Sequence, residues 1–188
     1  MIGRLMSGSP QSTARIAGLC YVVTILAGLV ALSSRGSVGA VASLIGALSY
    51  VAVTLLFYYI FRPVSRSLSL LAALLSLAGC AVGPLGLFVR LPAPTLNISL
   101  VFFGCYCLLI GYLILKSTFL PWFLGALMLF AGVGWLTFAS PALVSRLYPY
   151  VFVPGILGEG LLTLWLVLAG VDARRWSEQA AAQAAIVT

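Results

Sequence analysis

Of the three acidic residues in the chain, Glu159, Asp172 and Glu178, only Glu159 falls deep inside an apolar run. It stands in Pro154-Gly155-Ile156-Leu157-Gly158-Glu159-Gly160, about nine residues into the run and so near its middle. An ionisable side chain at that depth costs a few kcal/mol on insertion scales, which makes it a functional-site candidate by default. Three outcomes are open to it: a protonated carboxyl, a pairing with a cation, or solvation in a polar cavity. Helical spacing then supplies the neighbours. Gly155 and Thr163 lie one turn to either side of Glu159, a small and polar face of the kind that packs inward. A second run carries Ser43, Gly46, Tyr50 and Thr54 at spacings of three or four, with Tyr50 at about the depth of Glu159. Shorter stripes come from Tyr21, Thr24 and Gly28, and from Gly104, Tyr106 and Gly111. Arg90, at the outer end of a third run, is the nearest cation by depth, and a snorkelling side chain shortens the gap. The expected site is an interior polar cluster of Glu159, Tyr50, Thr54 and Thr163, joined by Tyr21, Tyr106 or Arg90.

A lone carboxyl of this kind suits three roles. It can bind a ligand or carry a proton, or it can staple helices through hydrogen bonds for about 0.6 to 2 kcal/mol. Catalysis ranks last, because the chain has no histidine, no second interior acid and no evident Ser-Lys pair. Lack of histidine also removes the commonest metal and haem ligand. Cys20, Cys80, Cys105 and Cys107 all sit in apolar runs, where a thiol behaves as a small hydrophobe, and Cys105 and Cys107 point to nearly opposite helix faces. No cysteine metal spacing, phosphate-binding glycine loop or dinucleotide fingerprint occurs, so neither a cofactor nor a metal is expected. Asn97-Ile98-Ser99 matches a glycosylation sequon but abuts an apolar run and is discounted.

The elements that must position these residues follow from composition. Of 188 residues, 63% are apolar and 7% charged, which excludes an ordinary soluble domain. Six uninterrupted apolar runs cover residues 14–33, 39–61, 68–89, 98–115, 120–139 and 150–171. Each is long enough as a helix to cross about 30 Å of hydrocarbon. Short breaks rich in Arg, Pro, Ser or Gly separate them, so consecutive helices must be antiparallel neighbours. The first run is too long for the core of a cleaved signal peptide and reads as a retained helix. Pro84 and Pro154 inside the third and sixth runs read as tolerated kinks. The expected fold is therefore all-α, a polytopic bundle of six antiparallel transmembrane helices. A segment 1–13 precedes it, the membrane domain is 14–171, and a tail follows at 172–188.

A net charge of +7 comes from basic residues scattered singly at the ends of the runs, which is a topology signal and not a nucleic-acid surface. With the N-terminus cytoplasmic, Arg4, Arg15, Arg62, Arg66, Lys116, Arg174 and Arg175 face inside, against Arg35, Arg90 and Arg146 outside. Both termini are thus expected in the cytoplasm. Gly79 with Gly83, and Gly125 with Gly132, are spaced for close helix packing. Trp122, Trp135, Trp165 and Trp176, with Tyr58, Tyr59, Tyr148 and Tyr150, read mostly as interfacial anchors near span ends.

Four segments together resemble one family: Ala14-Arg15-Ile16-Ala17-Gly18-Leu19, Phe61-Arg62-Pro63-Val64-Ser65-Arg66-Ser67-Leu68, Gly111-Tyr112-Leu113-Ile114 before Leu120-Pro121, and Gly158-Glu159-Gly160 before Leu164-Trp165-Leu166. Their order and spacing look like the bacterial membrane family catalogued as domain of unknown function 4386, over most of residues 14–171. The resemblance implies six helices in a bacterial cytoplasmic membrane and brings no activity with it. The leading functional expectation is a non-enzymatic membrane protein whose polar interior binds a small amphipathic ligand or lipid, or which is an accessory to another membrane protein. The alternative is a small transporter or proton-linked carrier that uses Glu159, and an intramembrane enzyme comes last. The expected partners are the lipid bilayer and such a ligand or membrane protein, with no nucleic acid.

Overall fold

A computed structural model describes residues 9–34, 36–88 and 95–187. Helix α1 spans Pro10–Ser33, α2 Ser37–Phe61, α3 Arg66–Phe88, α4 Thr95–Lys116 and α5 Trp122–Leu136. A 3-10 turn, Thr137–Ala139, leads to the short α6, Pro141–Leu147. A second 3-10 turn, Tyr150–Phe152, leads to α7, Val153–Leu168, and α8 is Ala173–Val187. Among the described residues five stretches are long and apolar enough to cross a bilayer: Pro10–Ala31, Ser37–Phe61, Ile98–Lys116, Trp122–Ala139 and Tyr150–Leu168. The third expected span, 68–89, corresponds to α3, whose described apolar stretch, Arg66–Val82, is shorter.

Local chemistry explains where the helices begin and end. Ser9 caps α1 by accepting the Ser12 N–H at 3.2 Å, and Pro10 occupies the first turn, where its missing N–H costs nothing. Pro154 has the same place in the first turn of α7, so it starts that helix, where the sequence suggested a tolerated kink. Gly170, at φ 72°, takes the left-handed conformation just past α7 and donates its N–H to the Trp165 carbonyl at 3.0 Å, which turns the chain toward α8.

Six helices form a closed ring. Each of α1 to α5 packs on its sequence neighbour, α5 packs on α7, and α7 returns to α1. Glycine sets the closest approaches. On α4 and α5 the pairs Gly104–Gly132 and Gly111–Gly125 face each other a heptad apart. A Cβ at Gly111 would lie 2.8 Å from the Gly125 carbonyl oxygen, and one at Gly125 2.8 Å from that of Gly111. Gly79 does pack inside the bundle as its spacing implied, against Ser99, whose hydroxyl donates to the Gly79 carbonyl at 2.7 Å. The ring's outer surface is a skin of exposed leucine and valine, including Leu26, Leu48, Leu55, Val133 and Leu168, as a lipid-facing surface requires.

Helix α8 closes one end of the ring. Asp172 caps it through Oδ1, which accepts the N–H groups of Arg174 and Arg175, and its own N–H donates to Phe119 O at 3.2 Å. The Trp176 indole donates to the Ile60 carbonyl at 2.8 Å and stacks on Tyr59. Gln179 donates to Lys116 O and accepts from the backbone and hydroxyl of Thr118. These side chains satisfy carbonyls in the last turns of α2 and α4 that their helices leave unpaired. Trp176 is therefore buried in the bundle end, not a lipid anchor, whereas Trp122, Tyr148 and Tyr150 are exposed as anchors are.

Candidate functional site

Glu159 projects from α7 into the ring and is 8% exposed. Two glycines on its own helix allow this. A Cβ at Gly155 would strike the Trp135 ring at 2.5 Å, and one at Gly158 would meet the Leu127 carbonyl at 2.5 Å, so α7 can lie directly on α5. The carboxyl then has two donors from other helices. Tyr21 of α1 donates its hydroxyl to Oε2 at 2.8 Å, and Trp135 of α5 donates its indole N–H to Oε1. These bonds tie α1, α5 and α7 together at the point where the ring closes.

An aromatic wall completes the interior. Tyr50 of α2 meets Tyr21 edge-on, with ring centres 5.6 Å apart, and lies 5.9 Å from Tyr106 and 4.5 Å from Phe103 of α4. Phe103 in turn meets Trp135 edge-on at 6.2 Å. Side chains from four further helices thus surround the carboxyl of α7 in a continuous circuit: Tyr21, Tyr50, Tyr106, Phe103, Trp135.

Of the residues expected at the site, Tyr21 contacts Glu159 directly, and Tyr50 and Tyr106 lie in the adjoining wall. Their hydroxyls are fully buried and have no partner beyond their approach to each other, and that of Thr163, one turn along α7, is buried with no hydrogen bond among the described residues. Thr54 is engaged elsewhere: its hydroxyl donates to Tyr50 O at 2.9 Å and pairs with Ser76 Oγ at 2.5 Å, so it fastens α2 to α3. Its register on the Tyr50 face is right, but one helical turn carries it past the carboxyl. Arg90 lies outside the described residues. Ser43, at the far end of the same stripe, is exposed. Trp135 is the residue that sequence reasoning missed. Its position close to the end of α5 suggested an anchor, yet its one donor is spent on Glu159. The signal for it was Gly155, a missing side chain facing the place where an indole has to fit.

No arginine or lysine pairs with Glu159 among the described residues. Arg15, Arg62, Arg66, Lys116, Arg174 and Arg175 all lie at the ring end closed by α8, and Arg146 lies at the other. Among the described residues the side-chain donors to the carboxyl are two neutral ones, Tyr21 and Trp135. A ring of apolar helices around a buried carboxyl defines a multi-pass helical membrane protein with a polar interior site.

Within that class, the chain belongs to the family described as Domain of unknown function (DUF4386), whose profile matches residues 85–170. That match includes Trp135 and Glu159 and leaves Tyr21 and Tyr50 outside it. A relative from Archaeoglobus fulgidus, described as "Uncharacterized protein", is 30% identical over 129 residues, which cover 64% of this chain and 76% of that protein. No solved structure matches the chain.

Proposed function

We propose that this is a non-enzymatic membrane protein whose interior site, centred on Glu159, binds a small amphipathic ligand. The observation that carries the reading is a buried carboxyl with no cationic partner among the described residues, beside the buried hydroxyls of Tyr50 and Tyr106, which have only each other, and that of Thr163, which makes no hydrogen bond among those residues. Buried polar groups are paired in nearly all native interiors, so hydroxyls gathered beside a buried carboxyl call for a partner, which water or a small molecule supplies. In this reading α3 is a sixth span, which places both termini on one side of a bacterial cytoplasmic membrane. The basic end, with α8, faces the cytoplasm. Native mass spectrometry of the protein released gently from its membranes tests the site. A bound small molecule should be present on the unaltered chain and absent from the Tyr50→Phe, Tyr106→Phe double variant. A ligand-free spectrum for the unaltered chain, or equal occupancy in both, overturns the reading.

A proton-linked carrier is the second reading, and it draws on the Tyr21 contact. The Trp135 N–H can only donate, so Oε1 is always an acceptor, whereas a tyrosine hydroxyl can donate or accept. A proton can therefore reside on Oε2 and leave with the Tyr21 contact intact. Solute-driven acidification in proteoliposomes, abolished in Glu159→Gln, is the result that selects this reading.

A further inference from the structure

An open apolar groove of about 440 Å³ lies between α3, α4 and the 3-10 turn after α5. Its walls include Leu75, Val101, Phe102, Cys105 and Phe138, and none of its lining residues is charged. Phe138 belongs to two places at once. One side of it lines the groove, and its ring centre lies 5.9 Å from that of Trp135, whose indole N–H is bonded to Glu159. Phe152 adds a third ring, 5.8 Å from Phe138 and 6.2 Å from Trp135. A chain of contacts thus links the groove wall to the carboxyl, from Phe138 to Trp135 to Glu159.

We infer that the ligand of this site is an amphipathic organic monocation, its apolar chain in the groove and its cationic head directed past Phe138 and Trp135 to Glu159. The inference rests on the interior-site reading above and names the chemical class. Each part of such a molecule meets its complement. The chain enters a groove with no charge and no hydrogen-bond demand. The head passes ring faces that attract cations, and Trp offers the strongest such face. At the end is a carboxyl that no described arginine or lysine neutralises, so charge complementarity selects a cation over an anion or a neutral amphiphile. A swing of the Trp135 indole, which rests on Gly155, uncovers the carboxyl for the head. Alkylammonium or alkylamine compounds of modest length have this form.

Titration calorimetry of the protein in lipid nanodiscs with decyltrimethylammonium tests the inference, with decyl sulfate and decanol as chain-matched anionic and neutral probes. The cation should bind saturably, and the other two at least about tenfold more weakly. Glu159→Gln should reduce cation binding about tenfold or more, and Cys105→Phe, which fills the groove far from the carboxyl, should do the same. Because an overfilled groove could unfold the helix pair, each variant is first checked for an unaltered detergent-unfolding midpoint, and Val101→Phe replaces Cys105→Phe if that check fails. Equal binding of the three probes, no binding of the cation, or cation binding untouched by Glu159→Gln overturns the inference. The interior-site reading survives that result if the native ligand is still lost from the Tyr50→Phe, Tyr106→Phe variant, so the two failures are distinguishable.

Discussion

Glu159 uses its two oxygens unequally. Oε1 faces a group that can only donate, and Oε2 faces one that can reverse, which sets opposite expectations for two substitutions. In Glu159→Gln the amide oxygen accepts from Trp135 and the amide nitrogen donates to the Tyr21 oxygen, so the fold should lose less than about 1 kcal/mol. Glu159→Ala leaves the Tyr21 hydroxyl and Trp135 N–H buried without an acceptor and should cost about 2 kcal/mol or more. Unfolding titrations in mixed detergent micelles measure both, and equal losses for Gln and Ala would refute the bonding described. Glu159 itself was legible in the sequence, because an acidic side chain in the middle of an apolar run has few structural excuses. Its partners were legible only as types. Tyr21 and Thr54 read alike as polar residues on inward stripes, and rotation of α1 and α2 in the ring sends one to the carboxyl and the other to Ser76.

At the scale of elements, glycine decides which helices touch. Gly111 and Gly125 bring α4 and α5 so close that a Cβ on either would meet the other's backbone oxygen, which cannot move aside as a flexible side chain could. Gly125→Ala should therefore destabilise the protein by about 1 to 3 kcal/mol. Gly160 is the contrast, since a Cβ there meets nothing within 4 Å. Gly160→Ala should be neutral or stabilising by up to about 1 kcal/mol, through helix propensity alone. Detergent unfolding of the pair of variants checks the sign of each. Sequence spacing marked Gly125 and Gly132 as packing positions, but spacing belongs to one helix and says nothing about its partner. The partners, Gly104 and Gly111, stood in a run read for its polar stripe. Residue 135 was misread for a related reason: distance from a span end is visible in sequence, and the direction an indole takes across a helix gap is not.

At the scale of the molecule, the ring is shut at one end by α8, and Trp176 is its bolt. Trp176→Ala removes the hydrogen bond to Ile60 O and the stack on Tyr59, and should cost about 3 kcal/mol. Limited proteolysis should then cut within residues 173–187 faster than in the unaltered chain, and an unchanged cutting rate would mean α8 is not held by this residue. Orientation is tested separately: a phosphatase active only outside the cytoplasmic membrane, fused to the C-terminus, should be inactive, and activity there would reverse the topology. The sequence by itself determined that the chain is a membrane-bound set of antiparallel helices, and which acidic residue lies within it. Both follow from composition and spacing along one dimension, since the cost of exposing backbone and charge to lipid is paid segment by segment. The tertiary structure alone decided that α7 returns to α1 to close a ring, that Tyr21 and Trp135 hold the carboxyl, and that α8 seals the end. Those contacts join residues distant in the chain, 138 positions in the case of Tyr21 and Glu159, and they depend on helix rotation and glycine-limited approach, quantities that exist only once the helices are packed.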